Sequence, residues 1–275
     1  VSATGPYVGG LLGSNVGIFD NGCNGGSIAA SFWDVQTSGQ SGSAGGAGLT
    51  TAEMMDPHML GLNGLANDPN WVLDAGRDYP RLAWQRTAGD IIPEADIDWL
   101  VGQGTADNPY RIDTADELIL LNKASLLWNR HLVLGADIDL DPALPGRRVF
   151  GQAVIPVFAG VFDGGGHVIS HLMIEGNHHL GLFGCLMNGA QVKNVGVVDV
   201  NIIGSSGYVG GLVGANEGTI AKSYSSGSVR GTNYVGGLVG HTLGEPWGGP
   251  STIVTSYSSA SASGTDCVGG FAGKM

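Results

Sequence analysis

Charge is the first thing this sequence is short of. Asp, Glu, Lys and Arg make up 13% of 275 residues, about half the usual share. Only 12 residues are Lys or Arg, against 24 Asp or Glu, for a formal net charge of −12. No basic cluster is present. That argues against nucleic acid and anionic membrane surfaces as partners, because phosphate contacts need grouped Lys and Arg. An acidic surface does suit an extracellular setting and loose cation binding. Cysteine is scarce as well. Cys23, Cys185 and Cys267 show no C-x-x-C spacing, so no zinc site is suggested. Three is an odd number, so at least one thiol is unpaired within the chain. They read best as small buried side chains, with one disulfide involving Cys23 as the alternative. No run of 18 apolar residues occurs, so no membrane-spanning helix is expected. H-E-x-x-H, G-K-[ST], G-x-S-x-G and N-x-[ST] are all missing.

Glycine is what the chain has in excess: 49 residues, about 18% against an average near 7%. There is no Gly-X-Y period, which excludes collagen. Hydrophobic residues reach 43%, enough to bury a core. The glycines are organised. Tyr-Val-Gly-Gly-Leu-Val-Gly occurs at 208–214 and at 234–240, with YVGGLLG at 7–13, LGLFG at 180–184 and CVGGFAG at 267–273. Tyr7 and Gly13 therefore belong to a first copy. The closing glycines of the later copies are Gly184, Gly214, Gly240 and Gly273, spaced 30, 26 and 33 residues apart. A period of 20–50 residues marks a stacked-repeat architecture. Between the motifs run short apolar or alternating segments, such as Val192–Val200, punctuated by Gly and Asn.

These patterns predict an all-β fold. It is a parallel β-solenoid of glycine-rich coils, 26–33 residues each, closed by short capping helices. Residues 1–34 read as the final coil or coils of one block. Residues 35–88 read as a loop, a short helix and an aromatic closing segment. There Thr50 and Glu53 form a capping box, the helix is interrupted near Pro57, and Trp71–Trp84 form a plug over the preceding coils. Residues 89–109 form a connection. Residues 110–150 form an opening cap, with a helix over 114–128 started by a Thr114/Glu117 capping box and a strand over His131–Leu140. Residues 151–275 are coils.

The motif copies, with GTIAKSYSSGSV at 218–229, resemble the GLUG repeat. NPYRIDTADEL at 108–118, ADIDLD at 136–141 and FAGVFDGGGHVISHL at 158–172 resemble what opens such an array. FWDVQTSGQSGSAGGAGLTTAEM at 32–54 with YPRLAW at 79–84 resembles what closes one. The resemblance implies a large bacterial surface or secreted protein of adhesin-like type. The closing segment precedes the opening one, so the chain reads as the tail of one block followed by the head of the next. That phase implies neighbours, covalent or not: copies of itself or adjacent repeats, docked head-to-tail.

Each chemical candidate has a plainer reading. Asp137, Asp139 and Asp141 are the best calcium candidates, since carboxylates two apart on a strand share a face. A solvated strand edge explains them more simply. His167 and His171, four apart, and His178 and His179 read as outward polar residues. Asp163 and Gly164–Gly166 read as a glycine turn rather than a glycosidase acid or a phosphate loop. The serines of SYSSGS and SYSSASAS read as an outward hydroxyl edge, open to glycans. Tyr208 and Tyr234 read as a corner ladder, with Cys267 at the equivalent place. The expected role is therefore a non-enzymatic, extracellular structural module of a filament, matrix or adhesin-like protein, with no cofactor. A carbohydrate-binding module is the alternative, and a polysaccharide-active enzyme ranks last.

Overall fold

The computed structural model describes residues 31–40, 46–85, 89–92, 97–243 and 251–275. Tyr7 and Gly13, with residues 1–30 of the coil expected over 1–34, lie outside them. The described chain is mostly β-strand, and its large sheets are parallel. Three sheets share one rule: each strand pairs with the strand one circuit later. The first sheet runs Tyr110–Ile112, His131–Leu134, Val161–Asp163, Gln191–Lys193, Thr219–Ala221 and Thr252–Val254. The second holds Ile138–Asp139, Val168–Ser170, Gly196–Gly204, Tyr224–Arg230 and Tyr257–Ser258, joined by Met173–Gly176 and Ser261–Ser263. The third runs Ile155–Phe158, Phe183–Leu186, Val213–Asn216, Val239–Thr242 and Ala272–Lys274. A shorter fourth sheet holds Val209–Gly210, Asn233–Gly236 and Asp266–Gly269.

Register lines like residues up in columns. Leu132, Phe162, Val192, Ile220 and Ile253 pair in turn across the first sheet. Phe183, Val213, Val239 and Ala272 do so in the third, at the spacings of the motif glycines. Phe158, Phe162 and Phe183 meet in the interior, with ring centroids 5.2–6.4 Å apart. Further along, the inner columns turn polar. Ile138, Ile169 and Val197 lead to Ser225 and Ser258, and Phe158 and Leu186 lead to Asn216 and Thr242. Ser225 is fully buried, and its hydroxyl donates to the Gly237 carbonyl at 2.8 Å.

Unequal circuit lengths leave this stacking intact. Val197 pairs with Ser225, but Val200 pairs with Gly227, because a bulge takes up one residue. The chain between Gly204 and Val209 takes up another. The extra length of the 33-residue step falls between Thr242 and Thr252.

The helical segments are shorter than the periodicity suggests. The Thr114/Glu117 capping box forms as expected, yet the α-helix covers only Ala115–Leu120 and continues as 3₁₀ turns at Leu121–Lys123 and Ser125–Leu127. Tertiary bonds interrupt it: Asn122 donates to the carbonyls of Ala153 and Val154, and Trp128 Nε1 donates to Leu121 O at 2.7 Å. The Thr50/Glu53 box also forms, ahead of a 3₁₀ turn at Glu53–Met55 and a helix at Pro57–Leu60. The closing segment packs on the opening cap. Leu49, Leu60, Leu62, Leu65 and Leu73 share one core with Leu118, Leu121 and Leu127. Asn63 Nδ2 donates to Lys123 O, and Lys123 pairs with Glu53 at 2.5 Å. Among the described residues no helix is long and apolar enough to cross a membrane.

Candidate functional site

The motif builds a corner, and the corner is where the chain's distinctive groups gather. Among the described residues, the position that heads each copy, which for LGLFG is the preceding His179, adopts the left-handed conformation: φ is 53° at His179, 63° at Tyr208, 54° at Tyr234 and 51° at Cys267. Non-glycine residues rarely occupy this region, so packing must hold them there. The packing is a ladder. His179 stacks on Tyr208 with centroids 4.7 Å apart and Tyr208 on Tyr234 at 5.0 Å. His241 packs against both tyrosines, at 5.7 and 5.0 Å, and Lys274 Nζ lies 5.4 Å from the Tyr234 ring centroid. Cys185, Tyr208 and Ala215 form a small cluster separate from the main core. Cys185 is disulfide-bonded, with its partner outside the described residues, so it is not a plain packed thiol. Cys267 is free.

The closing glycines explain the motif's last letter. A Cβ on Gly214 would lie 2.7 Å from Gly184 O, and one on Gly240 would lie 2.6 Å from Gly214 O. One on Gly273 would lie 2.6 Å from Gly240 O. Each closing glycine is pressed onto its counterpart one circuit earlier. Gly184 is in turn pressed onto Pro156 O.

Burial sets the electrostatics of the corner. It pushes His179, beside His178 and His241, down to about 3, and His241, beside Lys274, down to about 4. Both imidazoles are therefore neutral at ordinary pH. His179 Nε2 and His241 Nδ1 are buried without a hydrogen-bond partner. His178 and His179 share a 2.7 Å contact between their Nδ1 atoms. His179 is thus half-buried in the ladder, with its Nε2 enclosed, rather than outward, and His241 is buried just past the closing glycine of its copy.

The acidic candidates are drawn into pairs that staple neighbouring circuits. Asp137 Oδ1 meets His167 Nδ1 at 3.0 Å and accepts from Val168 N. Those two bonds, the backbone one foremost, hold its carboxyl below the usual range. Asp139 Oδ1 meets His171 Nδ1 at 2.8 Å, which lowers the aspartate and raises the histidine. Asp141 accepts from Ala143 N. Burial works to raise Asp163, but bonds from Asn194, Gly165 and Lys193 outweigh it and lower the carboxyl. Among the described residues no group of three or more His, Cys, Asp or Glu is placed to hold a metal. A further acid went unread in the sequence. Asp34, 7% exposed, accepts from Gln36 N, Thr37 N, Thr51 Oγ1 and Tyr79 Oη at 2.6–2.9 Å. Burial would raise it, yet these bonds bring it to about 2. It ties the FWD and YPR portions of the closing segment together.

A second ladder lies on the second sheet. Tyr224 covers Gly196 and stacks on Tyr257, with centroids 5.0 Å apart and rings 3° from parallel. The terminal circuit differs from the others. Val254, Tyr257 and Val268 are 44%, 59% and 42% exposed, and Ile253, Ala262 and Phe271 are only half-buried. Its strands close the described order of all four sheets.

Residues 205–230 match the family model of the GLUG motif, which bears out the resemblance read from the sequence. The chain is 34% identical over 152 residues to Halomucin of Haloquadratum walsbyi, covering 51% of this chain and 2% of that protein. It is 34% identical over 128 residues to a protein of Evansella cellulosilytica provisionally named a Gly-rich membrane protein, covering 43% of this chain and 14% of that one. The chain thus spans a small part of the curated relatives it matches. A solved structure from Bacteroides ovatus, provisionally described as an immunoglobulin A1 protease, superposes with a TM-score of 0.45 at 25% identity. That match covers 59% of this chain and 50% of the other.

Proposed function

The chain carries the GLUG motif, and from that premise we propose that it is a non-enzymatic structural module of an extracellular surface protein, filament-, matrix- or adhesin-like in character. Its working form is a parallel β-solenoid. The observation that carries this reading is the glycine column. Gly184, Gly214, Gly240 and Gly273 stack backbone on backbone, with no room for a side chain. Residues spent this way make a rod, because each coil buries only its neighbours. The names of the relatives, a halomucin and a Gly-rich membrane protein, agree with a place at the cell surface. The Asp–His staples suit a scaffold whose circuits are tied to one another. Antibody raised against the chain should label intact cells that produce it. Labelling only after the cells are opened overturns the reading.

A further inference from the structure

Two tyrosines on the outer side of the second sheet are held one over the other. Tyr224 and Tyr257 are Cα partners in parallel strands, a pairing that sets their backbones about 4.8 Å apart. The register is fixed beside them: Tyr257 N donates to Ser223 O at 3.1 Å, and Ser223 N donates to Ser256 Oγ at 3.1 Å. The residues that follow, Ser225 and Ser258, turn inward, and their hydroxyls bond at 3.0 Å. Neighbours along a strand face opposite sides, so both phenols point outward. Their rings lie 5.0 Å apart between centroids and 3° from parallel. Tyr257 is exposed and Tyr224 half-buried. A further circuit stacked on Tyr257 would cover the outer face of that ring, not the edges of the pair.

The other described tyrosines are placed differently. Tyr110 and Tyr208 are buried, and Tyr79 is tied by its hydroxyl to Asp34. Tyr234 stacks on Tyr208, but Lys274 Nζ lies 5.4 Å from its ring centroid, and a positive charge there opposes loss of an electron from the ring. In the outward pair, an electron hole formed on one ring is shared with the ring stacked against it. We propose that Tyr224 and Tyr257 are an oxidative cross-linking site, coupled into a dityrosine that ties two successive circuits covalently. The co-reactant is a peroxide, acting through a haem peroxidase as the one-electron oxidant. Each phenol gives up one electron and its hydroxyl proton. The two phenoxyl radicals join through a new carbon–carbon bond between Cε atoms. The hydrogens on those carbons move to the oxygens and restore both hydroxyls. The peroxide takes up the two electrons and two protons and leaves as two waters, so the pair loses two hydrogens in all. The bond fastens the strand Tyr257–Ser258 to Tyr224–Arg230 independently of their hydrogen bonds. The site stands whether or not the chain belongs at the cell surface.

The experiment treats the whole chain, dilute enough to stay monomeric, with hydrogen peroxide and a haem peroxidase. The monomer band is then digested and its peptides are mapped by tandem mass spectrometry. The expected product joins Tyr224 to Tyr257 and is lighter by two hydrogens than the two separate peptides. Tyr224→Phe and Tyr257→Phe keep the stacked rings but lack one phenol, so each should lose this product, while Tyr234→Phe keeps it. The wild-type map decides the matter by itself if a variant fails to fold. A monomer band without this product overturns the proposal. So does an equal yield from chain unfolded in urea, which would show that the stack contributes nothing.

Discussion

Acid should loosen the motif corner before it reaches the carboxylates. His179 and His241 titrate near 3 and 4 in the folded chain, because burial keeps their imidazoles neutral. In the unfolded chain both return to about 6.5. A depressed folded pKa means that the unfolded state takes up protons first as pH falls. The stabilisation is therefore complete above about 6.5 and is lost as pH drops through the folded values. At about 1.4 kcal/mol per pH unit, each histidine costs about 3 kcal/mol between pH 8 and pH 4. Together they remove about 6 kcal/mol, a large part of a typical domain's 5–15 kcal/mol. The window is distinct from that of Asp34, whose contribution fades only as pH falls from 3.8 towards its value of about 2. His171, whose partner Asp139 raises it, acts in the opposite sense, but it is exposed and its effect is small. The assay is urea unfolding followed by circular dichroism at pH 8, 6, 5 and 4. His179→Tyr supplies the internal control, since tyrosine already stands at this position in Tyr208 and Tyr234. The variant should keep the stack and reduce the pH 8-to-4 difference by about 3 kcal/mol. A wild-type stability that is flat from pH 8 to pH 4, or a variant with an unchanged slope, refutes the reasoning.

Two further perturbations test the rest of the framework. Phe183→Ala removes a fully buried ring that touches Phe158 and Phe162 and should cost about 3–5 kcal/mol, read as a lowered urea midpoint. Asp34→Ala strands the donors of Thr51 and Tyr79 and should cost about 2–4 kcal/mol. Its signature is faster amide exchange at Phe32–Asp34 and Ala47–Leu49, with residues 183–242 unchanged.

The repeat was legible because its constraint is local. A glycine that must touch the preceding circuit's backbone recurs at the circuit length, and the intervals between Gly184, Gly214, Gly240 and Gly273 reappear as strand register. Both capping boxes were legible for the same reason, each spanning only four residues. The helix over 114–128 was overdrawn because Asn122 bonds to carbonyls some thirty residues away, which no periodicity reveals. Asp34 and His241 were passed over on the same ground. Asp34 draws on Tyr79, 45 residues on, and His241 packs against Tyr208 of the preceding circuit as well as Tyr234 of its own. The coils that Trp71–Trp84 were expected to plug lie outside the described residues, and the closing segment's contact with the opening cap was not read from the sequence. The segment's apolar face was visible in sequence, but the surface it covers was not.

Circuits of unequal length stack here without losing step, because the bulge at Val197–Val200 and the stretches after Gly204 and Thr242 absorb the difference. The distance such an array spans is then set by how many motifs it contains, each adding about 4.8 Å, and not by how many residues. Insertions at those places would add residues without moving the paired strands out of step. Duplicating a motif would lengthen the array by a fixed increment.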